Sequence, residues 1–276
     1  MSTIPLGVRL ARIPITVKNF KIIVFFVTFI TYTSYHMTRK TLSVVKNGLH
    51  ANCTEYAAHN HIPVPLDNPN FCWYAPFNTK DYNEKFSQLD FSFLAAYAIG
   101  MFLSGHLAER INLRFYLSAG AILSGIASAL FGFGYFFSIH SFAYFMFVQI
   151  ISGLFQASGW PAVVTLMANW YGKTKRGLMM GIWNSNSSIG NILGSLLSGV
   201  FVLDKWGWSF LLPAILIILS GAICLNFIVS HPCDIGLADQ NQKKTEEIPD
   251  EIAEDDGNQV IVKKSEAISL LDAIKA

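Results

Sequence analysis

The chain has 276 residues, 52% of them hydrophobic and only 14% charged, with 22 Phe and a formal net charge of +2. A charged share about half that of an ordinary soluble domain agrees with the long charge-free stretches below, which exclude a water-soluble enzyme. The small net charge gives no reason to expect a nucleic-acid partner, because it averages a basic body with a tail from Asp234 onward that holds 11 of the 18 acids.

Residues 1–20 carry Arg9, Arg12 and Lys18 and lack the small-residue cleavage site of a secretory signal peptide, so they are expected to remain as a cytoplasmic N-terminal segment. A first charge-free window runs from Ile22 to Thr38. The apolar pattern resumes after Arg39-Lys40 at Leu42, Val44 and Val45, which predicts a helix from about Lys21 to Lys46 with two cations inside it. Residues 46–87 follow as a long loop in which Pro63, Pro65, Pro69 and Pro76 disfavour helix. It carries Cys53 and Cys72, either a disulfide or two free thiols, and the glycosylation sequon Asn52-Cys53-Thr54. His50, His59 and His61 share this loop without the spacing of zinc ligands, and no metal is expected.

Phe91 to Ala108 forms the second window and ends at Glu109-Arg110. Residues 115–172 then run 58 positions without Asp, Glu, Lys or Arg, which at about 20 residues per crossing must fold as two spans. Gly177 to Leu203 and Trp206 to Cys233 supply the fifth and sixth. The expectation is an all-α membrane protein with a six-span bundle over residues 21–232. Residues 233–276 read as an acidic, disordered cytoplasmic linker, and Ile268 to Ile274 as the approach to a seventh helix on which the chain is cut short.

Orientation follows from retention of Lys and Arg on cytoplasmic flanks. With the N-terminus inside, Arg9, Arg12, Lys18, Lys21, Arg110, Arg114, Lys173, Lys175 and Arg176 are all cytoplasmic, the 46–87 loop is luminal, and both chain ends are cytoplasmic. Leu103-Ser104-Gly105 before Glu109-Arg110 is echoed by Leu197-Ser198-Gly199 before Asp204-Lys205, the sign of a 3+3 inverted repeat.

Polar residues inside the spans carry the functional content. Tyr32, Tyr35, His36, Arg39 and Ser43 recur at spacings of three, four or seven and share a helical face. A cation at depth is costly unless it faces a wet cavity, a partner or an anion; the alternative is that Arg39 and Lys40 snorkel to the outer interface. No acid in spans one to six is expected to stand ready to neutralise them. In the fourth span Gln149, Gln156 and Trp160 lie on a similar face, and Trp160-Pro161 is expected to interrupt the helix. In the fifth, Asn184, Ser187, Asn191, Ser195 and Ser198 form a polar stripe that either lines a cavity or serves close helix packing. No nucleophile, acid-base pair or phosphate-cradling glycine loop has useful spacing, so neither an enzyme nor a cofactor is expected.

The segment Gly105-His106-Leu107-Ala108-Glu109-Arg110-Ile111-Asn112-Leu113-Arg114 resembles the loop signature between helices two and three of the major facilitator superfamily. Tyr35 to Lys40, Gln156 to Pro161 and Gly181 to Asn184 resemble its organophosphate:phosphate antiporter branch, within which the chain is most similar to the N-terminal half of the eukaryotic sugar-phosphate exchangers. The resemblance implies a six-helix half of such a transporter in the endoplasmic reticulum membrane. It implies exchange of a sugar phosphate, glucose 6-phosphate first, for inorganic phosphate by alternating access, together with a missing C-terminal six-helix half. It places substrate at Arg39, Lys40, Tyr32, Tyr35, His36, Gln156, Trp160, Asn184 and Ser187, and a cytoplasmic charge lock at Glu109, Arg110 and Arg114. Ser187 departs from the His of bacterial members. The rival expectation is a six-span membrane protein that moves no solute.

Overall fold

The computed structural model describes residues 4–50, 58, 61, 74–171, 173–202 and 205–237. Asn52, Cys53, Cys72 and the acidic tail lie outside the described residues. Helices α1 (Leu6–Leu10), α2 (Val17–Leu49), α3 (Tyr82–Ala108), α4 (Leu113–Phe136), α5 (Phe142–Gln156), α6 (Gly159–Trp170), α7 (Lys173–Trp183), α8 (Asn186–Gly199) and α9 (Trp206–Phe227) are followed by a 3₁₀ turn at Pro232–Ile235. No strand occurs among the described residues.

The first span is longer than its apolar run at both ends. Thr16 caps α2 by accepting a hydrogen bond from the Asn19 amide at 3.3 Å, and Lys46 and Leu49 continue the helix. With α3 starting at Tyr82, the connection narrows from the expected 46–87 to residues 50–81. The far end of this connection is docked: Tyr74 donates to the Gly134 carbonyl at 2.6 Å and packs on Trp206. Burial among these groups pushes the Tyr74 hydroxyl pKa up to about 12.

Among the described residues five stretches are long and apolar enough to cross a bilayer: Val17–Leu49, Tyr82–Ala108, Leu113–Phe136, Phe142–Trp170 and Trp206–Phe227. The fourth is broken between α5 and α6 at Ala157-Ser158. Pro161 explains the place, since it lacks the N–H that would bond the Ala157 carbonyl; the break falls four residues ahead of the proline. The expected fifth span is not one helix either. α7 and α8 together cover residues 173–199, about 40 Å of rise, but are parted at Asn184-Ser185. There the side chains of Ser185, Asn186 and Ser187 bond the carbonyls of Ile182, Trp183 and Asn184, competing with the helix for its own acceptors.

Packing supports the inverted repeat. The first span (α2) packs on the fifth (α8) as the second (α3) packs on the fourth (α5), and the third (α4) and sixth (α9) pack on one another. Exchanging spans one, two and three with four, five and six maps this pattern onto itself. Small residues bring the backbones together: a Cβ on Gly190 would lie 2.5 Å from the Thr33 carbonyl of α2, and one on Gly194 would lie 2.8 Å from that of Met37. The outward faces carry Phe91, Ile99, Phe102, Ile192 and Leu196, all exposed, as a lipid-facing surface requires. The backbones of α2 and α3 are not a closely packed pair, and a cavity lies between them.

Candidate functional site

The cavity is about 310 Å³, at the small end of ligand pockets, and is walled by α2, α3, α4, α5 and α9. Long side chains bridge its two antiparallel walls in register. Arg39 of α2 lies over the Tyr97 ring of α3 at 4.5 Å, and Lys46, seven residues on, bonds Asp90, seven residues back. Tyr97 stands near the midpoint of α3, so Arg39 lies at mid-depth of the bundle. Its guanidinium turns inward: Nε donates to Gln156 Oε1 at 2.6 Å, and Gln156 Nε2 donates to Thr38 Oγ1 at 3.2 Å. Arg39 Nη2 is buried without a hydrogen-bond partner in the protein, as is Ser128 Oγ on the opposite wall. A buried cationic donor left unsatisfied is costly, and an anion in the cavity would relieve it.

The other nominated residues take several different places. Gln156 holds Arg39, and Gln149 lines the same cavity. Tyr32, His36, Trp160 and Trp183 form an aromatic cluster one to two turns before Arg39 on the same side of α2, with Arg39 and Tyr97 as neighbours of Tyr32; the Tyr32 ring lies 5.4 Å from His36, 6.0 Å from Trp160 and 4.9 Å from Trp183. Trp183 donates to Thr28 Oγ1 and is fully buried. Tyr35, also fully buried, packs on Gly120 and Gly159. Lys40 does not line the cavity; its Cβ is set against Gly194 of α8. Adjacent residues on a helix are about 100° apart, so Arg39 and Lys40 face different neighbours.

The polar stripe of the fifth span is divided. Asn184 and Asn191 are exposed and Ser187 half-buried, whereas Ser198 is fully buried and donates to Thr41 Oγ1. In the turn between α3 and α4 Glu109 and Arg110 are exposed, and no ion pair joins either to Arg114 among the described residues. Arg114 Nε donates instead to the Leu225 carbonyl of α9 at 2.6 Å, which ties the start of α4 to the end of α9.

Four polar cavity residues were not singled out from the sequence. Tyr97 could have been found as the one tyrosine of the second charge-free window, and Ser128 and Ser152 are hidden among small packing residues. Asp90 was missed because it stands one residue before the charge-free window, although α3 begins eight residues earlier at Tyr82. An acid does therefore line Arg39's cavity, but Lys46 occupies it.

A bundle of broken and continuous apolar helices packed with 3+3 symmetry around a cavity that holds an inward guanidinium defines a membrane-transporter class, and the sequence model of the Major Facilitator Superfamily matches residues 23–268, so the chain belongs to that family. More particularly, it is 48% identical over 227 residues to "Glucose-6-phosphate exchanger SLC37A2" of Danio rerio, covering 82% of this chain and 46% of that protein. It is 48% identical over 219 residues to the Homo sapiens protein of the same name, covering 79% of this chain and 44% of that one. It is 42% identical over 251 residues to "Glucose-6-phosphate exchanger SLC37A1" of Homo sapiens, covering 85% and 46%. The chain thus spans less than half the length of these relatives. Among solved structures, a bacterial homologue of the human lysosomal transporter Spinster, inward-facing and unoccupied, matches with a TM-score of 0.55 at 16% identity, over 76% of this chain and 43% of that one. That likeness supports the fold.

Proposed function

We propose that this chain is the N-terminal half of a membrane antiporter that exchanges a sugar phosphate, glucose 6-phosphate first, for inorganic phosphate by alternating access. The observation that carries the reading is the Arg39 guanidinium, mid-depth and inward, with Nη2 and the nearby Ser128 hydroxyl lacking partners in the protein. A guanidinium presents a planar fork that fits phosphoryl oxygens, and in a cavity of lowered dielectric the contact is strong yet reversible. Gln156 fixes the fork by taking its Nε, and Tyr97 supports it from below. The names of the relatives support a sugar phosphate as one of the exchanged anions. An Arg39 without an anion is poorly stabilised in the membrane, which favours crossing loaded in both directions and hence exchange.

The remaining parts follow from the same reading. Tyr32, His36, Trp160, Asn184 and Ser187 would lie toward the second six-helix half and contact the sugar. Lys40 raises the potential of that side. Glu109 and Arg110 are free to engage the other half as a cytoplasmic lock whose base is the anchored Arg114. The N-terminus is cytoplasmic, the loop bearing Asn52, Cys53 and Cys72 is luminal, and the membrane is that of the endoplasmic reticulum.

The test is uptake of labelled glucose 6-phosphate into phosphate-loaded vesicles. It compares this chain with the chain joined to the second half of the Danio rerio relative. Uptake by the joined form that requires internal phosphate is expected. Absence of uptake from both forms would overturn the reading and favour a six-span protein that moves no solute.

A further inference from the structure

The cavity wall contains a carboxylate where an anion site has least use for one. Asp90 lines the same cavity as Arg39, two helical turns toward the luminal end, roughly 10 Å from the Arg39 rung. Left alone it could do two harmful things: neutralise the guanidinium, or repel a phosphoryl dianion. It does neither. Lys46 donates to Asp90 Oδ2, and its ammonium also lies 5.6 Å from the centre of the Phe86 ring, which holds the side chain in place. Helical side chains lean toward the start of their own helix, and α2 and α3 run in opposite directions, so Arg39 and Asp90 lean apart. Arg39 accordingly keeps an unpartnered Nη2 despite a carboxylate on its own cavity wall.

We infer that Lys46 and Asp90 are a specificity-setting pair for the anion site: Lys46 masks Asp90, so that the cavity holds one net positive charge, matched to a phosphate monoester. This rests on the anion reading of the Arg39 cavity. Removing Lys46 unmasks Asp90 and brings the net charge to zero. Removing Asp90 frees Lys46 as a second positive charge at the luminal mouth. The pair is partly exposed, with side-chain accessibilities of 22% for Lys46 and 50% for Asp90, so its worth as a structural tie is small and its worth as a charge setter is what remains.

The experiment is equilibrium binding of labelled glucose 6-phosphate to this chain in vesicles, at low and physiological salt. Lys46→Gln is expected to weaken binding about tenfold, since an unmasked charge at roughly 10 Å acts through a partly screened medium. Asp90→Asn is expected to tighten binding severalfold, and the double variant to return within about threefold of the unsubstituted chain. A merely structural bridge predicts something different: both single variants weaken binding together and the double variant does not recover. That pattern, or a Lys46→Gln chain that binds as the unsubstituted one does, would overturn the pair alone. No detectable binding of glucose 6-phosphate or phosphate by the unsubstituted chain would overturn the anion reading and the pair with it.

Discussion

Helix α2 has two working faces, and they are built in opposite ways. Toward α8 the surface is sealed: Gly190 and Gly194 admit the α2 backbone so closely that a single Cβ would strike Thr33 and Met37 carbonyls. Toward α3 the backbones stand apart, and Arg39 and Lys46 reach across to Tyr97 and Asp90. The difference teaches that the charge on this helix is not what makes a site. Lys40 carries the same charge as Arg39 and is its neighbour, yet it lies against Gly194, while Arg39 enters a cavity with donors to spare. Space beside the charge decides.

The comparison can be broken most directly at the open face. Arg39→Ala should lower exchange about 100-fold or more, the loss of a bidentate charge-assisted contact of about 3 kcal/mol, while insertion into the membrane is retained. Vesicle uptake beside protease mapping of the inserted protein would check both halves of this. Arg39→Lys should recover only part of the loss, because an ammonium lacks the planar fork.

The sealed face should fail differently. Gly190→Leu must force apart two backbones that touch, at a cost of about 1–3 kcal/mol, and should lower the melting temperature in detergent by about 5 °C without any selective effect on ligand affinity. A protein that melted normally but lost affinity would place ligand, not packing, at that face. Gln156→Leu should then weaken affinity about tenfold, since it removes the acceptor that orients Arg39 Nε while preserving bulk. Lys40→Gln should have the smallest effect, two- to threefold on the apparent KM, through potential alone. An effect as large as that of Arg39→Ala would show that the α8 side opens and that the two faces exchange roles during transport.

How much of this was legible depends on the residue. The Trp160-Pro161 signal announced a broken fourth span, and the missing N–H of Pro161 sets the break at Ala157-Ser158. The fifth span read as a single polar-striped helix. Its break at Asn184-Ser185 comes from three side-chain bonds to neighbouring carbonyls, which many Ser and Asn residues could make and few do. Arg39 stood out as a cation at depth, whereas Tyr97 and Ser128 did not, because nothing local marks a tyrosine or serine as the one that faces a cavity. Glu109, Arg110 and Arg114 read as one cluster; the fold separates Arg114, which is committed to the Leu225 carbonyl.

The sequence by itself determined where the chain meets lipid and where it carries an unmatched charge, since a bilayer demands long runs without ions and makes every exception visible in one dimension. The tertiary structure alone decided which of two adjacent cations would have room beside it, and that an acid 51 positions after Arg39 would share its cavity but belong to Lys46. Those outcomes depend on how each helix is turned about its axis, and that rotation is set by packing between segments far apart in the chain.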